Sequence, residues 1–226
     1  MKKMHLQKLA LVAFVLFLMV SCSKDDVPAQ TPLGTISTQV WATKNLDVAT
    51  YRDGTPIPQV TDRTAWANLT TGAWCYYENT TANGTTYGKL YNWYAVAGIH
   101  DNNANTPNKI LAPTGWHVPK DTEWTTLTTF LGGESVAGGK MKLTGTSLWT
   151  TPNTAATNES GFTGLPGGCR YNDGTFDDIG RNGGWWSSSE KDVTYAWGGY
   201  LNYNNGNARI GDASKTDGFS VRCLRD

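Results

Sequence analysis

The sequence predicts an α+β domain, and three observations carry that expectation. One amphipathic helix stands out: from Asp121 onward Trp124, Leu127 and Leu131 recur at i, i+3 and i+7 with Phe130 beside them, and Gly132-Gly133 stops the run. Short apolar and aromatic segments, split by Gly, Asn and Asp, then suggest a curled or broken antiparallel sheet with long loops. Neither an internal repeat nor a clean linker follows Gly34, so residues 35–226 are expected to form one domain.

The main helix begins inside Gly115-Trp116-His117-Val118-Pro119-Lys120-Asp121-Thr122-Glu123-Trp124. Pro119 suits a helix entrance, and Asp121 and Glu123 place negative charge where unpaired amides favour it. Its apolar face is expected to cover the aromatic strands on either side. Ahead of it, Gln39-Val40-Trp41-Ala42 predicts a short strand, and Asp53-Gly54-Thr55-Pro56 a tight turn. Trp66 and Leu69 lie in a short helical or turn piece, residues 72–77 in a strand, and residues 78–86 in a polar loop. Leu90, Trp93, Tyr94 and Ala97 fall at i, i+3, i+4 and i+7 before Gly98, which predicts a second, shorter helix. Residues 100–109 are a surface loop. A third helical piece is expected around Met141-Lys142-Leu143, with Gly138-Gly139 arguing against length.

The chain's start predicts its address. Lys2, Lys3 and Lys8 precede an unbroken apolar run over residues 9–20, too short to span a bilayer but suited to a secretory signal. Leu18-Met19-Val20-Ser21-Cys22 resembles a bacterial lipobox, so residues 1–21 are expected to be a lipoprotein signal peptide. Residues 22–34 are then the acylated Cys22 and a flexible tether containing Pro28 and Pro32. Ser23-Lys24-Asp25-Asp26 resembles the acidic signal that sends some Gram-negative lipoproteins to the cell surface, so outer-membrane anchoring with surface display is the expectation.

Loss of residues 1–21 removes three basic residues and no acidic ones, which leaves 16 against 19 and a formal charge of −3. No basic patch points to nucleic acid. Cys75, Cys169 and Cys223 in an oxidising compartment allow one disulfide and leave one thiol over. Cys75–Cys223 is the expected pair on its strand-like contexts; spacing does not fix it. Without a Cys-x-x-Cys or a His/Cys cluster, no zinc site and no cofactor are expected.

Five ordered motifs carry a family resemblance: Tyr87-Gly88-Lys89-Leu90-Tyr91-Asn92-Trp93-Tyr94-Ala95, Gly115-Trp116-His117-Val118-Pro119 with Glu123-Trp124, Gly161-Phe162 with Leu165-Pro166-Gly167-Gly168, Trp185-Trp186-Ser187-Ser188, and Ser220-Val221-Arg222-Cys223. Together they resemble the Fibrobacter succinogenes major paralogous domain over nearly all of residues 36–226. That family is similar in turn to formylglycine-generating and sulfatase-modifying enzymes and, through them, to the C-type-lectin-like fold. The resemblance implies two main helices on a twisted, mostly antiparallel sheet with long loops and chain ends close together. It also implies an exported lipoprotein. Lys120 stands where a small hydroxyl residue is usual, which removes a helix cap worth about 1 kcal/mol. Cys169 stands where an aromatic is common, and its thiol is the one expected to be free. The copper-holding cysteine pair of the oxidase relatives has no local counterpart here, so that activity is not expected.

Several residues could carry chemistry. His117, among aromatic neighbours and without a second motif histidine, is expected to be a buried, hydrogen-bonded side chain, and His100 a loop residue. Glu123 is expected to serve the helix start. Asn172-Asp173-Gly174-Thr175-Phe176-Asp177-Asp178 lacks the spacing of a calcium loop and is expected to be a solvated turn. The strongest binding candidate is the aromatic stretch over residues 195–207. Its expected ligand residues are Trp197, Tyr200, Asn202, Tyr203 and Asn205, which combine flat rings with amides as a sugar or a protein loop requires. The expected function is a lipid-anchored binding or adhesion module for a polysaccharide or surface protein. The alternatives are a structural envelope or fibre component, and an enzyme with an unrecognised site on a formylglycine-generating-enzyme-like fold.

Overall fold

The structure is a computed structural model that describes residues 36–226. The signal segment, Cys22 and the tether lie outside the described residues. The elements in chain order are α1 (Arg63–Ala67), β1 (Trp74–Cys75), α2 (Thr81–Tyr87), β2 (Leu90–Tyr91), α3 (Trp93–Ala97), β3 (Trp116–His117), α4 (Asp121–Phe130), α5 (Glu134–Met141), β4 (Gly167–Arg170), β5 (Phe176–Ile179), β6 (Asn182–Glu190), β7 (Tyr195–Asn202), β8 (Ala208–Ser214) and β9 (Leu224–Arg225). A five-stranded sheet runs in the order β5-β4-β6-β7-β8, and β1-β2 and β3-β9 form two small pairs. Every pair is antiparallel except β4–β6, a parallel contact through Gly168 and Gly183 that strand patterning did not foresee.

The sheet has a covered face on each side, because successive side chains alternate. Trp185 and Trp186 on β6 make the point: both are buried, in different clusters. On the Trp185 side lie α4 and α5, and Trp41, Trp124, Phe162 and Leu201 pack there with the Trp41 and Trp124 rings 4.7 Å apart. On the Trp186 side lie Tyr91, Trp93, Ala196, Phe219 and Val221. The first and last described segments meet: the amides of Ala42 and Leu46 donate to the carbonyls of Cys223 and Val221, and Arg225 N–H to Val40.

Helix α4 begins and ends where its sequence predicts. The side chain of Lys120 makes no cap. The missing hydroxyl comes instead from β6: Ser189 Oγ accepts the Asp121 N–H at 3.1 Å and donates to Asp121 Oδ1 at 2.7 Å. Glu123 Oε2 accepts the Lys120 N–H at 2.8 Å, so that carboxylate does serve the helix start. At the other end Gly132 has φ +104° and the Gly133 N–H donates to the Thr128 carbonyl.

Three local expectations are corrected. The second helix starts at Trp93 rather than Leu90, because fully buried Asn92 interrupts it. Asn92 Oδ1 accepts the N–H groups of Ala73 and Ala95 while its amide donates to Thr71, so Leu90 and Tyr91 remain extended and pair with β1. Most of the loop expected over residues 78–86 belongs instead to α2, Thr81–Tyr87, whose sequence has too few apolar positions to announce a helix. Helix α5 runs through Gly138-Gly139 because another chain segment crosses there: a Cβ on Gly138 would lie 2.0 Å from the Asn207 carbonyl oxygen, and one on Gly139 2.4 Å from that of Ala155.

The expected Cys75–Cys223 disulfide is also corrected. Cys75, Cys169 and Cys223 are all free and buried. Cys75 packs with Trp66 and Leu90 in one cluster and Cys223 with Val221 in another, so shared strand-like context did not mean proximity. Buried cations hold the loops instead. Arg222 donates to the carbonyls of Ala42 and Phe162 and to Asn45 Oδ1, Arg170 to those of Val60, Thr61, Asp62 and Gly174, and Lys142 to those of Thr154, Asn202 and Asn205. Each is fully buried without a carboxylate partner among the described residues, and burial lowers the pKa of Arg222 to about 9 and that of Lys142 to about 8.

Candidate functional site

A cavity of about 660 Å³ opens on the Trp186 side of the sheet, between the β4–β5 hairpin and β7–β8. Glycines make room for it. Register pairs Gly198 with Gly211, and Gly184 and Arg209 with Tyr200 on either side. A Cβ on Gly198 would stand 2.9 Å from Tyr200 Oη, one on Gly211 3.1 Å from Arg209 Nε, and one on Gly184 2.7 Å from the Phe219 ring. Tyr200, Arg209 and Phe219 therefore lie down over the three positions, Gly184, Gly198 and Gly211, that carry no side chain.

Tyr200 is the centre of the arrangement. Its ring meets Phe219 edge-on at 5.5 Å, and its hydroxyl is buried without a hydrogen-bond partner. Burial raises its pKa above the usual phenol range. Such an orphan donor costs about 1–3 kcal/mol, which a ligand oxygen or nitrogen would recover. Just past the end of β8 the carboxyl of Asp217, 8% exposed, accepts the N–H groups of Ser214 (3.1 Å, to Oδ2) and Asn172 and has no basic partner among the described residues. Burial pushes its pKa up to about 6. Cys169 lies in the wall, but burial raises its thiol to about 12, so it is no nucleophile. Asp178 on β5 also reaches the wall and takes φ +68°, a left-handed conformation unusual for a side-chain-bearing residue. Tyr171 and Tyr195 stand exposed at the rim.

The structure divides the ligand residues expected from sequence. Tyr200, Asn202 and Asn205 line the cavity. Trp197 points to the other face of β7, where the Lys191 ammonium lies 5.5 Å from its ring and bonds Asp212 at 2.9 Å. Tyr203 packs on the cluster beneath α4 and α5. The stretch is thus one strand with two faces rather than one patch. Arg209, Asp217, Tyr171 and Phe219 were missed. Asp217 sits in Lys215-Thr216-Asp217-Gly218, which resembles any polar turn, and only the sheet register brings Arg209 beside Tyr200.

The remaining candidates have structural partners. His117 Nδ1 lies 2.8 Å from Asp226 Oδ1 and Nε2 3.0 Å from Glu123 Oε1, so both ring nitrogens are engaged, although the ring is half-buried rather than buried. A shallower hollow of about 540 Å³ adjoins it, walled by Val96, Leu111 and Val118. His100 faces the Tyr51 ring and Asp101. Asp173 closes the β4–β5 turn, accepting from Thr175 and pairing with Arg63 at 2.6 Å. Among the described residues no group of three His, Cys, Asp or Glu side chains is placed to hold a metal ion, and no helix is long and apolar enough to cross a membrane.

One protein-family model, the Fibrobacter succinogenes major domain, matches residues 35–225. No curated protein and no solved structure matches the chain.

Proposed function

We propose that this chain, which belongs to the Fibrobacter succinogenes major domain family, is a lipid-anchored binding module of the outer-membrane surface that holds a sugar in the cavity beside Tyr200. The observation that carries this reading is the buried, unpartnered Tyr200 hydroxyl, in a cavity that the Phe219 ring and, elsewhere along its wall, Asn202 and Asn205 also line. Aromatic faces suit the apolar side of a sugar ring, and amides and carboxylates suit its hydroxyls. Cys22 supplies the anchor and residues 22–34 the reach from the bilayer. Two helices on one face of the sheet, with the first and last described segments paired, support a C-type-lectin-like arrangement.

The test is glycan-array binding by the full-length protein in detergent micelles, parent against Tyr200→Phe. The variant loses only the orphan hydroxyl. It is expected to unfold at a higher temperature than the parent, because a buried unsatisfied group is gone, and to bind its glycan more weakly. Unchanged binding, or no glycan retained by the folded parent, overturns the reading.

A second reading, hydrolysis of the same ligand, has one observation in its favour. A carboxyl with a pKa of about 6 inside a cavity has the property of a general acid. Release of reducing ends from a bound oligosaccharide, abolished in Asp217→Asn, would establish it.

A further inference from the structure

Resting on the sugar-binding reading, we propose that the glycan is acidic, a uronic-acid oligosaccharide whose carboxylate is held by Arg209 at one end of the cavity. The side chains of Arg181, Arg209 and Arg225 have no hydrogen bond or ion pair among the described residues, whereas Arg52, Arg63, Arg170 and Arg222 donate to carbonyl or carboxylate oxygens, and of the three only Arg209 lines the cavity. It is exposed at the edge of the cavity, but it lies along the sheet rather than away from it. Gly211 lets the guanidinium lie flat on the sheet, with Nε, the central carbon and a terminal nitrogen all within 3.1–3.4 Å of where a Cβ would be. The pairing of Arg209 with Tyr200 sets this fork beside the orphan hydroxyl. A planar fork with free donors matches a carboxylate bidentately, which a lysine cannot do.

The surrounding charges are arranged for this. Asp178, Asp212 and Asp217 border the cavity, and of these the Asp212 side chain turns to the Trp197 face. Asp212 is neutralised by Lys191 at 2.9 Å. Asp217 bonds Ser214 at the end of β8, and its charge and that of Arg209 act on the Tyr200 hydroxyl with opposite sign. Asp178 sits on β5, the edge strand at the other side of the sheet from β8. The Tyr200 hydroxyl therefore stands within reach of one basic and one acidic group. A uronic-acid unit can offer its carboxylate to the first and a hydroxyl to the second, whereas a neutral sugar can use only the second.

The experiment is calorimetric titration of the full-length protein in detergent micelles with four matched probes: an oligogalacturonate, its methyl ester, the neutral oligogalactoside and a sulfated oligogalactoside. The acid is expected to bind about tenfold tighter than its ester, a difference of 1.4 kcal/mol. That preference should shrink in high salt and vanish in Arg209→Gln, with partial return in Arg209→Lys. Equal binding of acid and ester, or a preference that survives Arg209→Gln, overturns the inference while binding of the neutral probe keeps the parent reading standing. A sulfated probe that gains as much as the acid overturns the assignment to a carboxylate. Binding of none of the four by the folded parent sinks both readings.

Discussion

Asp217 makes the fold depend on pH in a direction opposite to most carboxylates. Its carboxyl is 8% exposed, accepts two backbone N–H groups and faces no cation, and burial raises its pKa from 3.8 to about 6. A raised folded-state pKa means the native state binds the proton more tightly than the unfolded chain. The associated stability is fully present below about pH 4 and is lost as pH rises through 6. At 1.36 kcal/mol per pH unit the whole window is worth about 3 kcal/mol, of which about 2 falls between pH 4 and pH 8. Asp217→Asn removes the titration. It also alters a backbone hydrogen bond, at a cost that does not change with pH. Urea unfolding of parent and variant at pH 4 and pH 8 separates the two effects, since the constant cost cancels in the difference. The variant should gain on the parent by about 2 kcal/mol between the two pH values. A stability difference that is the same at both would refute the claim that this carboxyl is buried and unpaired.

Other perturbations test the rest of the fold. Gly138→Ala should destabilise by about 1–3 kcal/mol in thermal or chemical unfolding, although alanine is the better helix former by about 1 kcal/mol, because its methyl would meet the Asn207 carbonyl oxygen at 2.0 Å. Arg222→Met should cost about 3 kcal/mol by urea denaturation, since the Ala42 and Phe162 carbonyls and Asn45 Oδ1 lose their donor inside the core, and Arg222→Lys should recover little because one ammonium cannot reproduce the fork. Thiol titration without reductant should count Cys75, Cys169 and Cys223 as three thiols in denaturant and none in the native protein; one thiol in denaturant would restore the disulfide reading. Ser189→Ala should lower stability by about 1 kcal/mol, as loss of the Asp121 cap from β6, measured by the same unfolding.

What the sequence disclosed follows from the range over which each signal acts. Helix α4 was legible because Trp124, Leu127 and Leu131 repeat within one element and Gly132-Gly133 ends it. The sheet was legible as a class of structure, since residues 182–214 alternate and turn on Gly, Asn and Asp. Its order was not: the parallel contact of β4 with β6 depends on what fills the loops between them. Asn92 hid the true start of α3 because its amide serves three backbone groups from two segments. The site was half legible. Tyr200, Asn202 and Asn205 stood out by composition, but alternation sent Trp197 to the opposite face, and Arg209 and Asp217 became visible only when the register placed β8 beside β7. The Cys75–Cys223 expectation failed for the same reason, since like contexts in sequence belong to different clusters in space.

The most direct measurement of the central claim is amide chemical-shift mapping of the protein with its best-retained oligosaccharide. The account predicts saturable shifts at Asn172, Tyr200, Asn205, Arg209 and Asp217, with the Trp197 face and the hollow beside His117 unmoved. Shifts centred on Trp197 and Tyr203, with Tyr200 and Asp217 silent, would contradict it and place the ligand on the other side of the strand.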